Sequence, residues 1–123
     1  MANVEPQEIA FTCARIADEK KADNIVVLRV APLTTLADYF VIATGKNPRQ
    51  IRATAFEMES AAARLKTARH AIEGTPDSGW VLLDLGDVIV HLFSPEARRL
   101  YALEVLWGDA EAEGWAEAGG KRK

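Results

Sequence analysis

Two carboxylates and an imidazole fall within eight positions of one apolar run. They are Asp84, Asp87 and His91 in WVLLDLGDVIVHLF, residues 80–93. Such a set could hold a divalent cation or supply acid and base to a phosphoester, as paired carboxylates do in phosphoryl-transfer sites. The spacing weighs against it. Carboxylates two apart on a strand share a face, whereas Asp84 and Asp87 are three apart across a turn. Asp also favours turns for the backbone hydrogen bonds its side chain makes there. His91 then reads as a packed strand residue.

Other chemistry is no better supplied. A zinc site needs three or four ligands in tight geometry. The chain has two histidines, His70 and His91, in different segments, and one cysteine, Cys13. Gly45-Lys46 follows an apolar strand and precedes a helix start, which invites comparison with a phosphate-binding loop. Asn47 stands where that motif needs Ser or Thr, and its first glycine is missing. Ser60, Ser78 and Ser94 lack a nucleophile-elbow context. Cys13 lies on an apolar helical stripe, where an inert buried thiol is the ordinary case. We therefore expect no catalytic residue, no metal and no cofactor. Lys46, Arg49 and Arg52, at and just after a helix start, form a small basic patch. It is either a solvated face or a contact for phosphate or an acidic partner.

The elements that must position these residues are legible from periodicity and punctuation. Ile9, Cys13 and Ile16 recur at helical steps within residues 5–21. Ile25–Val30 and Tyr39–Thr44 are short and largely β-branched or aromatic, as strands covered on both faces are. Asn47, Pro48 and Gln50 start a helix as N-cap, first position and capping-box partner. Its stripe is Ile51, Ala55, Met58, Ala62 and Leu65, down to about residue 68. Residues 70–73 read as an edge strand and 74–79 as a loop. Two strands, 80–84 and 87–93, flank a type I turn at Asp84-Leu85-Gly86-Asp87 with Gly86 supplying positive φ. Ser94-Pro95-Glu96 starts a last helix. It is expected to reach Trp107 and to bury Leu100, Leu103 and Trp107. Residues 110–123 read as a flexible tail outside a domain at 1–109. Strands apolar on both faces need cover on both sides, so the fold class is α/β, a single compact domain with a mixed sheet covered by helices.

The totals agree with one domain. At 123 residues the chain can bury a core without staples. Fifteen basic against eighteen acidic residues, a net charge of −3, exclude a generic nucleic-acid binder but leave a local basic patch open. A single cysteine excludes an internal disulfide framework and fits a reducing compartment. The N-terminus lacks the pattern of a signal peptide, and no apolar run approaches the ~20 residues of a membrane span. Cytoplasmic location is expected.

What stands out is apolar excess. Trp80, Leu82, Ile89 and Phe93 would all need cover if both faces of the hairpin were core, and three main helices must supply it. A partly open face would mark a partner site, with Trp80 as its anchor.

Several blocks resemble a known family. LTTLADYFVIATGKNPRQIRA (33–53), EG (73–74), WVLLDLGDVIVHLF (80–93) and RRLYALEVLW (98–107), in this order and spacing, are similar to the Iojap family of bacterial-type ribosomal silencing factors. The resemblance runs from about Ile9 to Asp109. Ala102 departs from it, where the family often carries Asp after the Tyr. The resemblance implies a topology like that of nucleotidyltransferases without their catalytic residues. It also implies binding to the large ribosomal subunit at ribosomal protein L-fourteen, steric blocking of subunit joining, and repression of translation under nutrient limitation. A role in large-subunit biogenesis, contact with ribosomal RNA and a homodimer off the ribosome are further expectations. The contacts we expect are Trp80, Leu82, Asp84, Leu85, Asp87 and Tyr101, with Lys46, Arg49 and Arg52 as a basic contact. The alternative is a metal-dependent nucleotidyltransferase or phosphoesterase using Asp84, Asp87 and His91.

Overall fold

The computed structural model describes residues 4–67, 71–103 and 107–115. His70 and the chain beyond residue 115 lie outside them, as does residue 68 at the expected end of the second helix. The helices are α1 (Pro6–Glu19), α2 (Pro48–Leu65) and α3 (Pro95–Tyr101). The strands are β1 (Asp23–Arg29), β2 (Tyr39–Thr44), β3 (Ala71–Thr75), β4 (Trp80–Asp84), β5 (Val88–Phe93) and β6 (Glu111–Ala112). A 3₁₀ turn at Pro76–Ser78 links β3 to β4. The fold is α/β, with one mixed six-stranded sheet in the order β3-β4-β5-β2-β1-β6. Among the described residues only β2 and β5 are parallel neighbours, and the other pairs are antiparallel.

All six residues of β2 are buried, because it is central in the sheet and covered on both sides. On one face, Val27, Val41, Ala43, Val81, Leu83, Val88, Val90 and Leu92 pack against the apolar stripes of α1 and α2. The expected stripe of α2 is the observed one: Ile51, Ala55, Met58 and Ala62 are buried, and Leu65 is partly so. Its start is fixed by the Asn47 side chain, which accepts a hydrogen bond from the Gln50 N–H at 2.9 Å. Gln50 returns its carbonyl to the Lys46 N–H and donates from Nε2 to the Lys20 carbonyl at 2.9 Å. The capping box is thus displaced by one residue and used to tie α2 to the end of α1. No helix among the described residues is long and apolar enough to cross a membrane.

The opposite face is covered differently. Leu28, Phe40, Ile42 and Phe93 form a smaller core with Val30, Ala37 and Ala97, closed by Leu103 and Trp107. The expected helix to Trp107 does not form without a break. Ala102 is left-handed at φ 46° and ends α3, and Trp107 N–H then donates to the Leu103 carbonyl at 2.8 Å beyond it. The phase of α3 also differs. Ala97 and Arg98 face inward, while Leu100, expected in the core, is 76% exposed. A seven-residue helix makes only two turns, so its apolar positions do not fix which side faces in.

Two boundaries are corrected. The turn between β4 and β5 is centred on Gly86 and Asp87, one residue later than expected. Gly86 is at φ 97°, and Leu85 N–H donates to the Val88 carbonyl at 2.9 Å. The segment after 109 is not all tail. Glu111–Ala112 pairs with Leu28 and Arg29 of β1, Glu113 N–H donates to the Val27 carbonyl at 2.8 Å, and Trp115 packs on the main core. Backbone pairing with an open strand edge needs no apolar periodicity, so composition did not reveal it.

Cys13 is buried in the main core. Burial pushes its thiol from 9.0 up to about 12, so almost no thiolate exists at neutral pH. We expect no reaction of the folded protein with a disulfide reagent at pH 8 on a timescale of minutes, and stoichiometric reaction in guanidinium. Rapid labelling of the native protein would contradict this packing.

Candidate functional site

Strand alternation sends Trp80, Leu82 and Asp84 of β4 to the less covered face of the sheet, and Val81 and Leu83 to the helix-covered one. The register then sets their neighbours. Trp80 lies opposite Phe93, Leu82 opposite His91 and Asp84 opposite Ile89 on one side. Thr75, Glu73 and Ala71 of β3 lie opposite the same three residues on the other. Gly74 at φ 81° lets β3 close on β4. A Cβ there would collide with the Trp80 carbonyl, which explains the glycine after Glu73.

An aromatic cluster results. The Trp80 ring centroid is 4.5 Å from that of Tyr101 on α3 and 5.1 Å from that of Phe93. Tyr101 owes its position to Arg98, one turn earlier. The Arg98 guanidinium is buried and donates from Nη1 to Thr44 Oγ1 at 2.8 Å, which docks α3 on the end of β2. Burying a guanidinium is costly unless it is hydrogen-bonded, so this contact contributes to the docking. Trp80, Tyr101, Leu82, Glu73 and Ser78 line an open hollow of about 330 Å³. Trp80 and Leu82 are half-buried, Tyr101 is 45% exposed, and the Glu73 carboxylate has no cationic partner among the described residues. Sequence reading missed Glu73, which the β3–β4 register sets opposite Leu82, and Ser78, which the 3₁₀ turn places beside Trp80.

The expected residues therefore divide. Trp80, Leu82 and Tyr101 meet at the hollow. Asp84 sits at the far end of β4, half-buried, and its Oδ1 accepts from the Gly86 N–H at 3.0 Å. Asp87 is exposed at the turn, where its carbonyl accepts from the Asp38 and Tyr39 N–H groups. Leu85 does not belong to an accessible surface. It is 1% exposed in the main core beneath α1, because the displaced turn rotates it inward. Truncating it to Ala would cost about 2–5 kcal/mol of fold stability, the range for a buried leucine. Lys46, Arg49 and Arg52 are exposed at the start of α2. Lys46 is engaged by Asp23 Oδ2 at 3.1 Å and by the Lys21 carbonyl at 3.2 Å.

His91 lies under the cluster. Its Nδ1 accepts from Trp80 Nε1 at 3.2 Å, which fixes the proton on Nε2. Nε2 is buried with no hydrogen-bond partner among the described residues. The ring meets Phe40 edge-on at 5.1 Å and Phe93 nearly parallel at 6.0 Å. This is a packed neutral imidazole that orients Trp80. Among the described residues, no three His, Cys, Asp or Glu side chains are grouped as a metal ion would require.

The comparisons with known proteins bear on the chain's family and fold. A family described as "Ribosomal silencing factor during starvation" matches residues 3–122. The ribosomal silencing factor of Halalkalibacterium halodurans is 39% identical over 104 residues, 85% of this chain and 89% of its own length. A mouse protein named for mitochondrial assembly of the ribosomal large subunit is 34% identical over 92 residues, 72% of this chain and 40% of its own. A crystal structure of a Chromobacterium violaceum protein superposes with a TM-score of 0.80 at 33% identity, covering 85% of this chain and 88% of that one.

Burial pushes the His91 pKa from 6.5 down to about 4. The unfolded chain takes up this proton as pH falls through about 6.5, whereas the folded chain resists until about 4. The stability held above pH 6.5 is therefore lost as pH falls from 6.5 toward 4, by about 2 kcal/mol at pH 5. His91→Gln keeps an acceptor for Trp80 but does not titrate. Urea unfolding at pH 7.5 and pH 5 should show a larger loss in the wild type than in His91→Gln, and equal losses would contradict the buried neutral state.

Proposed function

Because the chain belongs to the family of ribosomal silencing factors, we propose that it binds the large ribosomal subunit at ribosomal protein L-fourteen and thereby keeps the small subunit from joining. The observation that carries this reading is the half-covered sheet face: a concave apolar hollow built on Trp80, Leu82 and Tyr101, with the Glu73 carboxylate beside it. Central aromatic anchors inside a polar surround are how most docking energy is concentrated. Trp80 and Leu82 serve as the apolar anchors and Tyr101 as the adjacent one. Glu73, Asp84 and Asp87 form the polar rim. A specific contact of ordinary size buries about 800 Å² on this side.

The mechanism is occupancy. A domain of this length is on the order of 30 Å across, too large to fit between two surfaces that must touch. No bond is made or broken, and the hollow needs only to hold the protein in place. Repression under nutrient limitation then follows from how many large subunits carry the factor. The mouse relative's name supports a second role in large-subunit biogenesis, exercised from the same docked position. The bacterial relatives named as ribosomal silencing factors support a cytoplasmic place of work. Off the ribosome, a second copy can cover the apolar face, so a homodimer and the ribosomal partner compete for one surface.

The test is affinity for purified L-fourteen. Leu82→Glu puts a charge on the apolar floor, and Tyr101→Ala removes an exposed ring. Asp84→Asn keeps the acceptor for Gly86 while removing the rim charge. With folding checked by circular dichroism, Leu82→Glu and Tyr101→Ala should each weaken binding at least about fivefold, as anchor residues do. Asp84→Asn, at the rim, should weaken it less. Wild-type affinity in folded Leu82→Glu and Tyr101→Ala would overturn the assignment.

A further inference from the structure

The opposite side of the molecule carries a second surface. Arg49, Arg52 and Phe56 are spaced by three and four residues on α2, so they share one side of that helix. All three are exposed, and Phe56 is 67% exposed. At the start of α2, the end of α1 brings in Lys20 and Lys21. Gln50 Nε2 donates to the Lys20 carbonyl, and Lys46 Nζ to the Lys21 carbonyl. Lys20, Lys21, Arg49 and Ala53 help to line an open hollow of about 370 Å³, and Phe56 follows one turn beyond Ala53. Asp23 engages Lys46. The other four cations have no acidic partner among the described residues. This is a basic concentration on a chain whose net charge is −3.

We propose that this stripe binds RNA, with Lys20, Lys21, Arg49 and Arg52 contacting phosphates and Phe56 stacking on an unpaired base. The proposal rests on the ribosome-binding reading and names a second contact for it. Charge complementarity selects a polyanion. The exposed ring selects RNA with a splayed base over an acidic protein, because a base offers a flat π-face and carboxylate side chains do not. Arg49 and Phe56 are seven residues apart, about 10 Å along the helix, which spans roughly three steps of a stacked strand. The stripe lies across the sheet from Trp80, since α2 covers the other face. Protein and RNA can therefore be held at once.

The experiment is fluorescence polarisation of the full chain with a labelled 20-nucleotide RNA hairpin that has an unpaired loop, between 50 and 200 mM salt. Wild-type affinity should fall steeply with salt. The quadruple variant Lys20→Gln/Lys21→Gln/Arg49→Gln/Arg52→Gln should bind more weakly, with a log–log salt slope shallower by about 2–3. Phe56→Ala should weaken loop binding at least about fivefold with the slope unchanged, and Phe56→Trp should restore it. Wild-type affinity and slope in the folded quadruple variant would overturn the proposal, as would wild-type affinity in Phe56→Ala. Polyglutamate competing as well as RNA would assign the patch to an acidic protein instead. The assay contains no ribosomal protein, so Leu82→Glu should bind this RNA like the wild type. Failure of the RNA surface and failure of the docking face are thus read separately.

Discussion

The whole arrangement depends on a shortage of cover. β2 and β5 form a central pair that is apolar on both faces, and all of β2 is buried. Two long helices, of 14 and 18 residues, take one face. The other face receives a seven-residue helix and the irregular segment through Trp107. A short helix cannot cover a six-stranded sheet. The inner part of that face closes over Phe40, Ile42 and Phe93, while the strip along β4 stays half-covered. The fold thus generates an apolar opening of defined shape without a separate binding domain.

Keeping that opening rigid requires internal polar contacts. Trp80 is held from below by His91, and Tyr101 is placed through Arg98 and Thr44. Each contact buries a polar group at some cost: an imidazole held neutral in one case, a guanidinium under a short helix in the other. Both costs are borne beside the hollow. A docking surface gains from side chains that do not have to be ordered on binding, since immobilising rotamers opposes association.

Much of the fold was legible in the sequence, and the parts that were not share a cause. The α2 start was plain because Asn47 and Pro48 act locally. β2 and the β4–β5 pair were plain because their short apolar, β-branched runs are local signals, although the reversal between β4 and β5 falls one residue later than expected. What depended on partners across the sheet was not. Leu85 looked like an exposed turn residue, yet a one-residue displacement of the reversal buries it. Leu100 looked like core, but the anchoring of Arg98 turns α3 the other way. Nothing about an alanine announces the left-handed Ala102, and two-residue β6 exists only because β1 has a free edge. At the hollow, Trp80, Leu82 and Tyr101 could be chosen by type, whereas Glu73 became visible only through the β3–β4 register.

In the proposed function this chain acts by occupying a surface of the large subunit and not by catalysis. Its most direct test is sedimentation of the tagged protein with purified large subunits, followed by addition of small subunits. The protein should travel with the large subunit, and joined ribosomes should fall in proportion to the fraction occupied. Joined ribosomes that still carry the protein, formed at the control level, would contradict it.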